Sequence, residues 1–315
     1  MEKKKEAIFN RREGRLREMQ SRSSVSRRWL LRGPLPISWL VDIVCDFMGF
    51  DGVCVQETYC PDWVNAIAAV DRDNFVTVGK RVRLWRNKQE RCLGSQHTDM
   101  VLAVAVLGSG KFATGSWDHS VNVWDTDTQV GALRGHMGAV TCLARLGDAC
   151  VVSGSSDKTV RVWDHTTNSC LRVLSGHAKT VWCVTVMPDM CIASGSADHS
   201  IKMWSSAEPA VFNGHTDWVM ALAVLDDGTL VSGSLDCTVR VWNAQHLVCR
   251  LFGVALSLSC MPGNVVVCAC GNSEVVLMHA GEIIHTFRQP SLYALTTWKK
   301  NIIVGTKNGH VRVFE

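Results

Sequence analysis

No apolar run in this chain reaches membrane-spanning length. The best candidate, residues 37–50, is too short and contains Asp42 and Asp46, whereas a spanning helix takes about 20 apolar residues. No Cys-x-x-Cys pair occurs among the 14 cysteines. Cys268 and Cys270 are the one close pair, and no histidine cluster of finger-like spacing accompanies them, which excludes the common structural zinc motifs. No Gly-x-x-x-x-Gly-Lys loop is present, so the usual phosphate cradle is excluded. An apolar period of 3.6 is absent from residue 54 onward, which excludes a helical repeat. No secretory apolar segment opens the chain. Abundant cysteine without a disulfide framework then implies a reducing compartment, the cytoplasm or, alongside it, the nucleus. No metal, cofactor or catalytic residue is expected.

What the chain does contain is an ordinary globular balance, 47% hydrophobic and 20% charged over 315 residues, enough for a sizeable core. Its charge is uneven. Of 33 Lys/Arg and 29 Asp/Glu, 11 and 4 respectively fall in residues 1–33, leaving 22 and 25 for the rest. The basic character belongs to an N-terminal arm, flexible or helical, and nucleic acid could be met only there.

The strongest signal is internal repetition. Phe112 to Asp125 reads FATGSWDHSVNVWD, Val151 to Asp164 VVSGSSDKTVRVWD, Cys191 to Trp204 CIASGSADHSIKMW, and Leu230 to Asn243 LVSGSLDCTVRVWN. The closing tryptophans Trp85, Trp124, Trp163, Trp204 and Trp242 recur about every 40 positions, and Met278 and Phe314 hold the same place in two fainter copies. Ser-Gly-Ser and Val-x-Val-Trp alternate as strands do, with an Asp-centred turn between them. Cys142, Cys183 and Ala221 share one place in successive units, so cysteine there acts as a small apolar residue.

Over residues 53–315 the chain resembles the WD40-repeat family, through Gly135-His136, Gly176-His177, Gly214-His215 and the Trp-Asp endings. The resemblance implies an all-β, seven-bladed propeller whose N-terminal strand, 53–59, completes the last blade. It also implies that the His, Ser, Asp and Trp of a unit form a structural hydrogen-bond chain. The complete sets are His136/Ser153/Asp157/Trp163, His177/Ser194/Asp198/Trp204 and His215/Ser232/Asp236/Trp242. His97, Thr114, Asp118 and Trp124 form a near-complete set, and units 1, 6 and 7 lack one, with Cys60 at the histidine place of unit 1. A Ser/His/Asp hydrolase is the enzymatic alternative, but an active site is needed once and this constellation recurs four times.

Partners of such propellers often dock on the face that carries these loops. The family's contact places fall three and five residues after the histidine and one before the turn aspartate. They include Trp63, Met100, Leu102, Trp182, Trp218, Met220 and Tyr293, with Trp117 and Leu235 before the aspartates. So apolar a rim implies protein or peptide binding, by a scaffold that is itself monomeric. Two resemblances suggest a ubiquitin-pathway adaptor instead. Leu35-Pro36-Ile37-Ser38-Trp39-Leu40 opens a stretch, 35–48, that is similar to the first helix of an F-box, which would recruit a ubiquitin-ligase component. Only 18 positions separate Leu35 from Val53, so the alternative for 34–52 is a short amphipathic helix packed on the propeller. The run from Gln289-Pro290 to Phe314 is similar to the last blade of ubiquitin-binding propellers of the phospholipase A2-activating protein family.

Overall fold

The computed structural model describes residues 54–314, with short breaks at 61, 71–73, 87–88, 94–95, 109, 126–127, 206–207, 243–247 and 299–300. The basic arm at 1–33 and the stretch at 34–52, with its F-box-like helix at 35–48, lie outside the described residues. Every described regular element is a strand.

The chain opens with β1 (Cys54–Tyr59). Blade 1 then takes β2 (Ala66–Ala69), β3 (Phe75–Val78), β4 (Val82–Arg86) and β5 (Gln89–Cys92). Blade 2 takes β6 (Val101–Gly108), β7 (Lys111–Ser116), β8 (Val121–Asp125) and β9 (Thr128–Leu133). Blade 3 takes β10 (Val140–Leu146), β11 (Cys150–Ser155), β12 (Thr159–Asp164) and β13 (Ser169–Ser175). Blade 4 takes β14 (Val181–Val186), β15 (Ile192–Ser196), β16 (Ile201–Trp204) and β17 (Ala210–Phe212). Blade 5 takes β18 (Val219–Val224), β19 (Leu230–Ser234), β20 (Thr238–Trp242) and β21 (Val248–Arg250). Blade 6 takes β22 (Ala255–Met261), β23 (Val265–Cys270), β24 (Glu274–His279) and β25 (Glu282–Arg288). The last three strands are β26 (Leu292–Trp298), β27 (Asn301–Thr306) and β28 (His310–Phe314).

Each blade is a four-stranded antiparallel meander, and the seventh is completed from the other end of the chain. β1 pairs antiparallel with β28, Cys54 opposite Phe314 and Tyr59 opposite His310. Closure removes an open sheet edge that would otherwise expose unpaired backbone groups. The expected N-terminal closing strand is therefore present.

Burial follows position in the blade. β11, β15 and β19, the second strands, are almost wholly buried, whereas β13 on the rim exposes most of its residues. The glycine of Ser-Gly-Ser explains how blades approach. A Cβ on Gly154 would stand 2.7 Å from Val181 Cγ1 of the next blade. One on Gly305 would stand 2.5 Å from Val64 Cγ1 across the seam between blades 7 and 1. Only hydrogen fits at that distance.

Deleting residues 53–59 leaves β28 as a bare edge, and we expect soluble monomer to be lost on size exclusion. A truncated protein that stays monomeric and melts cooperatively at the full-length temperature would contradict the closure.

Candidate partner-binding face

Blades 2 to 5 repeat one hydrogen-bond chain. In blade 3, Trp163 Nε1–H donates to Ser153 Oγ, Ser153 Oγ–H donates to His136 Nε2, and His136 Nδ1–H donates to Asp157 Oδ2, each at 2.7 Å. The sets headed by His97, His177 and His215 repeat it at 2.7–2.9 Å. The central hydroxyl residues Thr114, Ser153, Ser194 and Ser232 are fully buried. Their hydrogen bonds are committed within the chain and no substrate can reach them, so the arrangement is architectural.

The aspartate ends this chain at the loops. Asp157 Oδ1 accepts the N–H of Thr159 at 2.9 Å, and Oδ2 accepts that of Met137 at 3.0 Å. The first bond shapes the tight turn, in which Lys158 takes a left-handed φ of 71°. The second ties the loop after the histidine to the same carboxylate. The residue before each aspartate then bonds the third residue after the histidine. Trp117 N–H donates to the Met100 carbonyl at 2.9 Å, Ser156 to Ala139 at 2.9 Å, Ala197 to Thr180 at 2.9 Å and Leu235 to Trp218 at 3.0 Å. The face is thus clamped from beneath, and its side chains are presented on a rigid frame.

Blades 1, 6 and 7 depart from this plan in different ways. Blade 1 keeps the buried end: Trp85 Nε1–H donates to Thr77 Oγ1 at 2.9 Å, with Cys60 Sγ 3.8 Å away. Its turn is two residues shorter and lacks the aspartate. Arg83 is instead held by Asp62 at 2.6 Å and Glu90 at 2.7 Å. Sequence reading missed this half-set because the shortened turn breaks the spacing. Blade 6 makes the region apolar, with Leu251, Cys268 and Met278 in one cluster. In blade 7 Phe314 lies opposite Ile302, where blade 3 sets Trp163 opposite Val151.

The expected contact residues separate into two groups. Asn65, Leu102, Thr141, Trp182, Met220, Leu256 and Tyr293, one from each blade, converge on the central cavity of about 330 Å³. Among the described residues no charged side chain lines it. Trp182 stacks on Trp218, with ring centroids 5.7 Å apart and planes at 20°. Trp218 and Tyr293 are exposed, and Met220 and Leu102 half-buried. Lys307 Nζ lies 5.1 Å over the Tyr293 ring. Trp63 and Met100 instead line a groove between blades 1 and 2 with Asp62, Lys80, Thr98 and Asp99. Trp63 is 59% and Trp117 50% exposed, while Leu235 is half-buried in the turn of blade 5. Two residues of these loops were not singled out from sequence, Met137 at 82% and Phe252 at 93% exposure. Met137 directly follows His136, so its place in the repeat was a usable signal. Phe252 lies in a loop whose Gly-His has been lost.

Four consecutive stretches, 90–125, 127–164, 168–205 and 207–243, match the family model described as WD domain, G-beta repeat. The chain belongs to the WD40-repeat propeller family. WD40 propellers are typically protein-interaction scaffolds and generally non-catalytic. This WD40 propeller is similar to the crystal structure of the WD40 beta propeller domain of Doa1, with a TM-score of 0.74 at 24% identity over 83% of this chain and 96% of that one. That likeness shows the fold. No curated protein sequence matches the chain. The matched repeats stop at 243, and the strands of blades 6 and 7 complete the ring beyond them. Among the described residues no helix is long and apolar enough to cross a membrane.

The clamps carry a pH dependence. Burial lowers the pKa of His97, His136 and His215 from 6.5, outweighing the pull of their aspartates. The unfolded chain therefore takes up protons first, and this stability is whole above pH 6.5 and declines as pH falls below it. For the aspartates burial acts upward, but hydrogen bonds win. Thr159, Met137 and His136 hold Asp157 at about 2, and Asp118, Asp198 and Asp236 are lowered likewise. Their contribution is lost in a second window, below 3.8. The thermal midpoint should fall between about pH 7 and pH 5 and again in stronger acid. A midpoint flat across the first interval would contradict the histidine assignment.

Proposed function

We propose that this protein is a non-catalytic interaction scaffold that captures partner proteins or peptides at the mouth of its central channel. The observation that carries the reading is the Trp182–Trp218 stack beside Leu102, Met220 and Tyr293, an aromatic opening on a clamped frame with the Lys307 cation over Tyr293. Such side chains dominate binding energy at interfaces. Trp182 adds a second support: its Nε1–H is buried with no acceptor among the described residues. An orphaned donor costs about 1–3 kcal/mol, and a small shift of the stacked rings on binding would let a partner carbonyl satisfy it. Trp63, Met100 and Trp117 extend the contact outward over blades 1 and 2. The propeller at 53–315 acts as a monomer in the cytoplasm, and in the nucleus if the basic arm at 1–33 serves as an address; 34–52 links the two.

The double variant Trp182→Ala and Trp218→Ala should fold normally and lose the partners that the intact chain captures from its native cell. Unchanged capture by the folded variant would sink the reading.

A ubiquitin-pathway adaptor is the sharper version. Its support is the run from Gln289-Pro290 to Phe314, which builds the last blade and carries Tyr293 to the channel mouth. Gln289 is nearly buried and accepts a hydrogen bond from Arg312 at 3.2 Å, which anchors the run's first residue to its last strand. Titrating isotope-labelled ubiquitin with the propeller should give saturable NMR shifts. Spectra unchanged at high protein concentration would remove this version while leaving the scaffold reading intact.

A further inference from the structure

Blade 6 breaks the tryptophan series. Met278 lies opposite Val266, in the register where Trp163 lies opposite Val151 and Trp204 opposite Ile192. What surrounds the ring in an intact case is plain from blades 2 and 3. Trp163 is 1% exposed and packs in one cluster with Leu107, Val121, Val123, Leu133 and Val151. Its wall therefore comes mostly from the preceding blade. Trp204 is enclosed the same way, with Val160, Val162, Leu174 and Ile192.

The same wall exists between blades 5 and 6. Leu225, Val239, Val241, Cys249 and Val266 stand at the corresponding places. The pairing of Val239 with Cys249 repeats that of Val121 with Leu133. Here the wall encloses no ring. With Met278 it lines an open cavity of about 280 Å³. A thioether on a linear chain cannot fill the volume of an indole, and Cys249, in the place of a leucine, widens it further.

We propose that this cavity is a binding site for a flat, fused-ring aromatic group of indole size. The other blades supply the template, because an indole fills the equivalent space in each of blades 3 and 4. Apolar cavities smaller than this one stay dry and bind aromatic rings. The serine that accepts the indole N–H in blade 3 has no counterpart here: Cys268 pairs with Leu258 as Ser153 pairs with Leu143, so a thiol holds its register, and Cys268 is not among the residues that line the cavity. Asp227, Asn264 and His279 stand at the opening. The ring enters apolar edge first, and any polar substituent points to that rim. The site is independent of the channel mouth, and its ligand can be a free small molecule or a tryptophan side chain borne by a partner.

The test is a methyl NMR titration of the full chain, labelled at methionine, with free indole and separately with N-acetyltryptophanamide. We expect a saturable shift of the Met278 methyl with a Kd of about 1 mM or tighter, and none at Met100 or Met220. Response to indole alone assigns the site to small molecules, and response to both extends it to a chain-borne tryptophan. Met278→Trp should fill the space, raise the thermal midpoint and weaken indole binding more than about tenfold. Should that variant not fold, Cys249→Leu narrows the same wall and should weaken binding severalfold. No saturable shift at Met278, or wild-type affinity in Cys249→Leu or a folded Met278→Trp, overturns the proposal.

Discussion

A buried indole N–H has no water to bond, and the repeated structure of this chain is organised around pairing it. In blades 2 to 5 the acceptor is a serine or threonine hydroxyl one strand away, which itself must be paired, and so the histidine and then the aspartate follow. Each bond contributes about 1 kcal/mol net, but breaking one strands a buried group at greater cost. The chain does more than satisfy a side chain. It connects the blade's third strand to the two loops of one face, so the core fixes the geometry of the surface that would meet a partner.

The exceptions obey the same physics. Blade 1 keeps the tryptophan and therefore keeps Thr77 as its acceptor, although histidine and aspartate are gone. Blade 6 has neither the indole nor a serine, and an apolar cluster takes their place. Removing all the partners together leaves no orphaned group, whereas removing one would. What the exchange does not conserve is volume, and the space between blades 5 and 6 follows from that.

Ring closure ties these units together. Blades 2, 3, 4, 5 and 7 each meet the next blade through a second-strand glycine that admits its chain closely, including the Gly305–Val64 contact at the seam, whereas Val78 and Ala269 hold that place in blades 1 and 6. The blades with the weakest motifs, 6, 7 and 1, are consecutive around the ring. Their place is secured by pairing of β1 with β28 and by spacing, since Met278 and Phe314 keep the tryptophan register without the tryptophan.

The strands, the Asp-centred turns, the three complete side-chain sets and the near-complete one headed by His97 were legible in the sequence, because each depends on contacts within about 40 residues that recur from copy to copy. The closing strand was expected too, as what the family resemblance over 53–315 implies, and β1 pairs with β28. Tertiary structure alone decided how the face is divided. Trp182 and Trp218 come from different blades and stack only because the ring curves them together, while Trp63 faces another groove. It alone showed that the shortened turn of blade 1 still pairs Trp85, and that a methionine at position 278 leaves a cavity, since half of the lining of that cavity belongs to the neighbouring blade. Periodicity reports what a residue does within its own unit. Contacts between units depend on curvature and side-chain volume, which no single repeat encodes.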